Sequence, residues 1–315
     1  MLRKQLRRPK LLAFFSVCSP CTVALEAYGG AHYWAREIAK LGHEVRLIPP
    51  AYVRPFVKRQ KNDAADAEAI CEAVQRPSMR FVPVKSEQTQ ASAMVFRARD
   101  LVTRQRIQLI NALRGHLAEF GIIAPQGPSH VPQLIESVKN PASGIPDTAI
   151  FVLNILIDAL HVLEEKIKLL DKEITMRARE DEDARRLATI PGIGSITATA
   201  LVALAPSVTN FRKGRDFAAW LGLTPKQHST GGKQTLGATS KMGERTLRRL
   251  LILGARAVVQ HAGRRQLSKG SWLARMLARK PRMLTIVALA NKMARIVWVL
   301  MSNGGVYQYS IGTVV

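Results

Sequence analysis

Three acidic side chains in this sequence have the types and placing to do chemistry, Glu26, Asp63 and Asp66, and Ser229 is a further candidate that periodicity does not select. Asp63 and Asp66 stand three apart in "NDAADAEAI", which reads as a helix start, and residues so spaced share one helical face. Their carboxylates can converge on a single point. Glu68 and Glu72 fall on the far side of the same helix and read as a solvated face. Glu26 closes the apolar run "TVALE" at the C-terminal end of a strand, where open α/β sheets place their ligands. A carboxylate there needs a partner, and three converging carboxylates suit Mg2+, which takes oxygen ligands and keeps waters for phosphate oxygens. In a basic chain that points to metal-assisted phosphodiester chemistry. The competing account of the two aspartates is local: an Asp N-cap with an acid at N3, favoured by the helix dipole.

Ser229 lies in "HSTGGK". The plain reading is a polar turn. The chemical one is a nucleophile on a flexible loop, with His228, Lys226 and Lys233 beside it to balance charge on a scissile phosphate. Pro191-Gly192-Ile193-Gly194 also has two readings. It is either a helix–helix turn whose glycines permit close packing, or a helix-hairpin-helix in which Gly192 and Gly194 let backbone N–H groups hold a DNA phosphate. The helix "ERTLRRLLILGARAV" sets Arg245, Arg248 and Arg249 opposite Leu247, Leu250, Leu251 and Leu253. With Lys233 and Lys241, these arginines are the expected contacts to a phosphate backbone, part of a basic region over 241–282.

The elements that must position these residues follow from periodicity. "LLAFFSVC" reads as a short helix, 22–27 as a strand, 31–42 as a helix ended by Gly42, and "HEVRLIPP" as a strand stopped by prolines. That order is a βαβ unit with a parallel sheet. A helix over about 63–75 comes next, then a long amphipathic helix from Ser86 to about Phe120 and a loose connector at 124–147. A second long helix runs from Thr148 to about Asp181. Its apolar residues at 151, 152, 155, 156, 159, 160, 163 and 167 approach a heptad seam, so dimerisation through the long helices is expected. A helical pair turns at 191–194, and a polar stretch and basic helices complete the chain. The division expected is 1–82, 83–185 and 186–315.

Composition sets the partner class. Lys and Arg number 47 against 23 Asp and Glu, a net charge of +24, and the pI is near 10.7. A polyanion, nucleic acid first, is the expected partner. From Lys241 onward there are 14 Lys or Arg and one acid, Glu244. Hydrophobic content of 47% excludes a disordered chain. Three cysteines exclude a disulfide framework, and Cys18-Ser-Pro-Cys21 has no second pair to complete a zinc site. The basic, then apolar, N-terminus imitates a signal peptide, but the apolar run is short. "MLTIVALANKMARIVWVLM" is interrupted by Lys292 and Arg295 and reads as a buried helix, not a membrane span. A cytoplasmic, nucleoid-associated protein is expected.

The blocks "ALEA", "AHYWAREIAKLGHEVRLIPPAYVRPFVKRQKNDAADAEAICEAVQRP", "RRLATIPGIG", "FAAWLGLTPKQHSTGGK" and "SKMGERTLRRLLILGARAV", in this order, resemble DEDD transposases of the IS110 insertion-sequence family, nearest its IS1111 subgroup. The resemblance implies an α/β plus α architecture: an N-terminal RuvC-like domain of ribonuclease H fold, a coiled-coil middle and a C-terminal transposase domain carrying a serine. It implies a carboxylate tetrad on Mg2+, a serine that attacks DNA to form a phosphoserine linkage, assembly as an oligomer and guidance by a structured RNA from the element itself. The second, third and fourth acids fall on Glu26, Asp63 and Asp66, and the serine on Ser229. Family members begin with a strand of the type Ile-Gly-Leu-Asp that supplies the first acid. No Asp or Glu precedes Glu26, so the resemblance implies an N-terminally truncated chain that lacks its first strands. Two alternatives stay open at this point. One is a nucleic-acid-binding remnant without cleavage; the other is a RuvC-type junction nuclease that uses water as nucleophile.

Overall fold

A computed structural model describes residues 4–58, 62–262 and 270–308. Two compact units make up the chain, Met1–Gln90 and Ala91–Val315.

The first unit is the expected βαβ arrangement. Helix α1 (Leu11–Ser16) leads into strand β1 (Thr22–Glu26), helix α2 (Ala31–Lys40) and strand β2 (Glu44–Ile48). The strands pair in parallel, with Thr22 opposite Glu44 and Glu26 opposite Ile48. Helix α2 buries Ala31, Trp34, Ala35 and Ile38, the stripe that spacings of three and four produce. One sheet face, with Val23, Leu25 and Leu47, packs on that stripe. The other face is covered after a short helix α3 (Pro50–Val53) by helix α4 (Asp63–Val74), whose Ala69 and Ala73 meet Ala24 and Ile48. Small residues on α4 let it sit close to the sheet.

The second unit is helical. Helix α5 (Glu87–Ala118) opens within the first unit's last residues. The long helix α7 (Asp147–Glu180) follows it, after α6 (Val131–Lys139). The connector expected to be loose contains α6, which buries Val131, Leu134 and Val138 against Leu113, Leu117, Leu153 and Leu160. Prolines at its ends masked its apolar stripe, because Pro is tolerated in a helix's first turn.

The seam of α7 also differs from the one expected. Leu153, Leu160, Ile167 and Ile174 are buried at seven-residue intervals, with Ile157 and Ala178 beside them. Of the residues predicted for the seam only Leu160 and Ile167 are buried, while Phe151, Val152 and Ile155 are exposed. The reason is that α7 is apolar on two sides. Ile155, Val162, Leu169 and Met176, also seven apart, form an exposed stripe on the other side.

A second core joins the ends of the long helices to the C-terminal region. Helices α8 (Glu182–Leu187), α9 (Ser195–Leu204), α10 (Gly214–Trp220), α11 (Arg245–Ala262), α12 (Trp272–Arg279) and α13 (Arg282–Asn303) build it. Ala93, Phe96 and Ile174 belong to the same cluster as Leu201, Phe217, Leu251 and Val297, so no gap in packing falls at 185/186. Helix α13 is long and apolar enough to cross a membrane. Here it buries Ile286, Leu289, Met293 and Val297 inside the protein. Its Lys292 amine lies 4.9 Å from the Trp272 ring centre. Partial burial, then Arg295, hold the Lys292 pKa below the usual lysine value.

Between α10 and α11, strands β3 (Pro225–Gln227) and β4 (Leu236–Thr239) form an antiparallel hairpin where the sequence promised only a polar stretch. The Gly231-Gly232 pair is the turn that closes it.

Candidate functional site

The carboxylates come first. Side chains alternate along a strand, so Glu26 shares a face with Ala24, the face that α4 covers. On α4, Asp66 lies one turn before Ala69 and continues the stripe of Ala69 and Ala73 toward the N-terminus. Asp66 is half-buried and Asp63 exposed. Neither caps the helix. Asn62 is the N-cap, its Oδ1 accepting the Ala65 N–H at 2.7 Å. The local account of the two aspartates is therefore displaced by one residue: Asn62 holds the cap, and Asp63 and Asp66 keep only the weaker dipole argument. Glu68 and Glu72 do face solvent, paired with Lys58 at 2.7 Å and with Arg76. Among the described residues, no three His, Cys, Asp or Glu side chains stand close enough together to hold one metal ion. What the fold supplies is oxygen donors at one edge of α4 and β1. A divalent cation here would draw on those carboxylates and on substrate phosphates for the rest of its ligands.

Ser229 stands on the hairpin between β3 and its turn. Gly231 and Gly232 both have positive φ, 55° and 76°, the type I′ combination that suits the strand twist. The Lys233 N–H donates to Thr230 O at 3.0 Å and the His228 N–H to Thr235 O at 2.9 Å, so the ladder runs up to the turn. Ser229, expected on a flexible loop, is on an ordered hairpin. Alternation puts Gln227 and Ser229 on one face and His228 on the other, and the register shifts between Pro225 and Gln227, where Lys226 lies. Lys233, paired with Thr230, shares the face of His228. His228 and Lys233, two of the three basic neighbours expected around Ser229, thus start from the opposite side of the hairpin. Gln227 Nε2 donates to Ser229 Oγ at 3.0 Å and the Thr235 N–H approaches it at 3.4 Å.

Below the hairpin, Arg248 Nη1 donates to Leu221 O at 3.1 Å and Met242 O at 2.7 Å, tying the two ends of the hairpin segment to α11. Lys241 is exposed with φ 55°, an unusual backbone conformation for a lysine. Arg249 pairs with Asp100 of α5. Of the three arginines expected to face a phosphate backbone, Arg248 and Arg249 are engaged within the protein, and Arg245 is exposed on the side away from buried Leu247 and Leu251. Arg256 lies on the stripe of Arg245, eleven residues on, and is exposed too. Leu253, expected on the apolar side, is exposed. Arg264, Arg265 and Lys269 of the basic region lie outside the described residues.

The 191–194 turn resolves into two different glycines. Gly192 has φ 85°, and a Cβ there would lie 2.7 Å from Gly254 O of α11, so this glycine serves close packing. Gly194 has open space where a Cβ would be and is the N-cap of α9, with no side-chain cap.

Residues 5–122 match a DEDD transposase family of the IS110 type, and residues 184–269 match the Transposase IS116/IS110/IS902 family. A Pseudomonas aeruginosa protein named a probable family 20 transposase is 48% identical over 97% of this chain and 91% of its own length. The transposase for insertion sequence element IS1111A of Coxiella burnetii is 37% identical over 91% of this chain and 79% of its own length. This chain is an IS110-family transposase.

IS110-family transposases recombine DNA, which accounts for a net charge of +24. Both family matches contain candidate residues, Glu26, Asp63 and Asp66 in one and Ser229 in the other. Sequence reasoning missed Asn62, Gln227 and Arg256. A Ser/Asp/Asn cap preference could have found Asn62, and helical spacing from Arg245 could have found Arg256. No local signal marks Gln227, because its contact with Ser229 depends on strand alternation within a hairpin whose flanks are polar.

Proposed function

We propose that this IS110-family transposase cuts and rejoins DNA by attack of Ser229 on a phosphodiester, with Mg2+ at Glu26, Asp63 and Asp66 of a RuvC-like domain. The observation that carries this reading is Ser229 itself: an exposed hydroxyl on an ordered hairpin, contacted by N–H donors, inside a segment that matches the transposase family. Oγ attacks phosphorus, the phosphoserine bond forms as the P–O bond to one deoxyribose breaks, and the departing oxygen takes up a proton. Attack by the hydroxyl of another strand reverses the exchange and frees the serine. Bound Mg2+ would act as a Lewis acid on the phosphate oxygens. Arg245, Lys241 and Lys233 hold the DNA backbone, and the uncapped N-terminus of α9 behind Gly194 adds backbone N–H groups. An RNA encoded by the element selects the partners in this reading. A second copy of the chain covers the exposed stripe of Ile155, Val162, Leu169 and Met176, giving a homo-oligomer in the cytoplasm.

A chain that binds nucleic acid without cutting it is the second reading. The lack of three gathered carboxylates among the described residues favours it. One experiment separates the two: incubate the protein with duplex element ends, the element's non-coding transcript and Mg2+, then trap DNA–protein adduct under denaturing conditions. Adduct with the native chain and none with Ser229→Ala supports serine attack. Adduct undiminished in Ser229→Ala removes that serine from the mechanism, and no adduct with either chain leaves binding alone.

A further inference from the structure

Ser229 Oγ is the target of two N–H groups at once, the Gln227 side-chain amide at 3.0 Å and the Thr235 backbone at 3.4 Å. Both come from the hairpin itself. Gln227 is two residues back on the same strand, hence on the same face, and Thr235 is on the facing strand. The Thr235 contact is the longer of the two, and the Thr235 carbonyl accepts the His228 N–H at 2.9 Å beside it.

We propose that Gln227 is a positioning residue for Ser229, a role that rests on serine attack as the reaction. A hydroxyl oxygen has two lone pairs and one proton. The Gln227 amide fixes the direction in which Oγ faces, while the longer Thr235 contact leaves one lone pair to turn to an incoming phosphorus and the hydroxyl proton to pass to solvent water. The same donors stabilise negative charge on Oγ as that proton departs. This is a donor placed in advance where negative charge develops, here on the oxygen of the nucleophile. His228 does not take this part, because alternation sends its ring to the other face, where a Cβ on Gly237 would lie 3.1 Å from His228 Cδ2.

The chemistry asks for a donor at this position, and two substitutions isolate that property. Gln227→Glu keeps the shape but accepts only, and Gln227→Met keeps the length with neither donor nor acceptor. Gln227 is exposed, so both variants should melt with the native chain. The readout is the single-turnover rate of adduct formation at saturating duplex element ends, beside the Kd for the same duplex measured in EDTA. We expect both variants to slow adduct formation about ten- to hundred-fold, with Kd unchanged in the neutral Gln227→Met, less than the loss of a buried oxyanion donor because this site is open to water. A structural role would move Kd or the melting temperature instead. Adduct formation undiminished in both variants, while Ser229→Ala forms none, overturns the role of Gln227 and leaves serine attack standing. Adduct in Ser229→Ala, or none with the native chain, overturns serine attack and this role with it.

Discussion

Gly192 and Gly254 meet backbone to backbone: a Cβ on either one would run into the carbonyl oxygen of the other. The turn at 191–194 is thereby seated on α11, and its first glycine faces the protein rather than a ligand. Alanine ordinarily stabilises a mid-helix glycine position by about 1 kcal/mol. At Gly254 the sign should reverse. Gly254→Ala is expected to lower stability by about 1–3 kcal/mol, the usual cost of overpacking, read from the urea midpoint at constant m value.

Asn62 and Asp66 should separate cleanly into structure and chemistry. Asn62→Ala removes the cap of α4 and should destabilise by about 0.5–2 kcal/mol. Asp66→Asn should shift stability by less than about 0.5 kcal/mol and abolish Mg2+-dependent adduct formation. Thermal melts and the adduct assay on the two variants decide it. If Asp66→Asn melts early and still forms adduct, the carboxylate is part of the helix start and no metal ligand.

The arginines of α11 divide in the same way. Arg245→Ala should weaken DNA binding for any sequence and reduce the salt slope of log K by about one, with folding untouched. Arg248→Ala should instead lower the melting temperature, because it removes the brace to Leu221 O and Met242 O. Salt titrations of binding beside melts test both. A salt slope unchanged in Arg245→Ala would place the DNA elsewhere.

The two stripes of α7 predict opposite behaviours. Leu153→Ala, at 2% exposure, should cost about 2–5 kcal/mol. Leu169→Lys, at 59% exposure, should leave stability alone and lower the mass found by sedimentation. An unchanged mass would mean that this stripe does not join copies.

Much of this organisation was legible in the residues. The βαβ order, its parallel pairing and the bounds of α5 and α7 follow from periodicity, and the structure places them within a residue or two of expectation. The inward side of α7 was not legible, because a helix with two apolar stripes satisfies the same spacing rule twice. Only the packing of Leu153 and Leu160 against Leu113 and Leu134 chooses between them. The hairpin was hidden for another reason: polar residues flank Gly231-Gly232, so the alternation that signals strands is absent. At the candidate site, residue types pointed to Glu26, Asp63, Asp66 and Ser229, while the separation of Ser229 from His228 and the role of Asn62 depend on register and cap geometry.

The hairpin also imposes a parity rule. A strand turns every side chain over when its register slips by one. One residue inserted between Gln227 and Ser229 would send the hydroxyl to the side of His228, away from the Gln227 amide, and a second would restore the face but carry Ser229 out of that amide's reach. The contact therefore fixes the Gln227–Ser229 spacing at two residues.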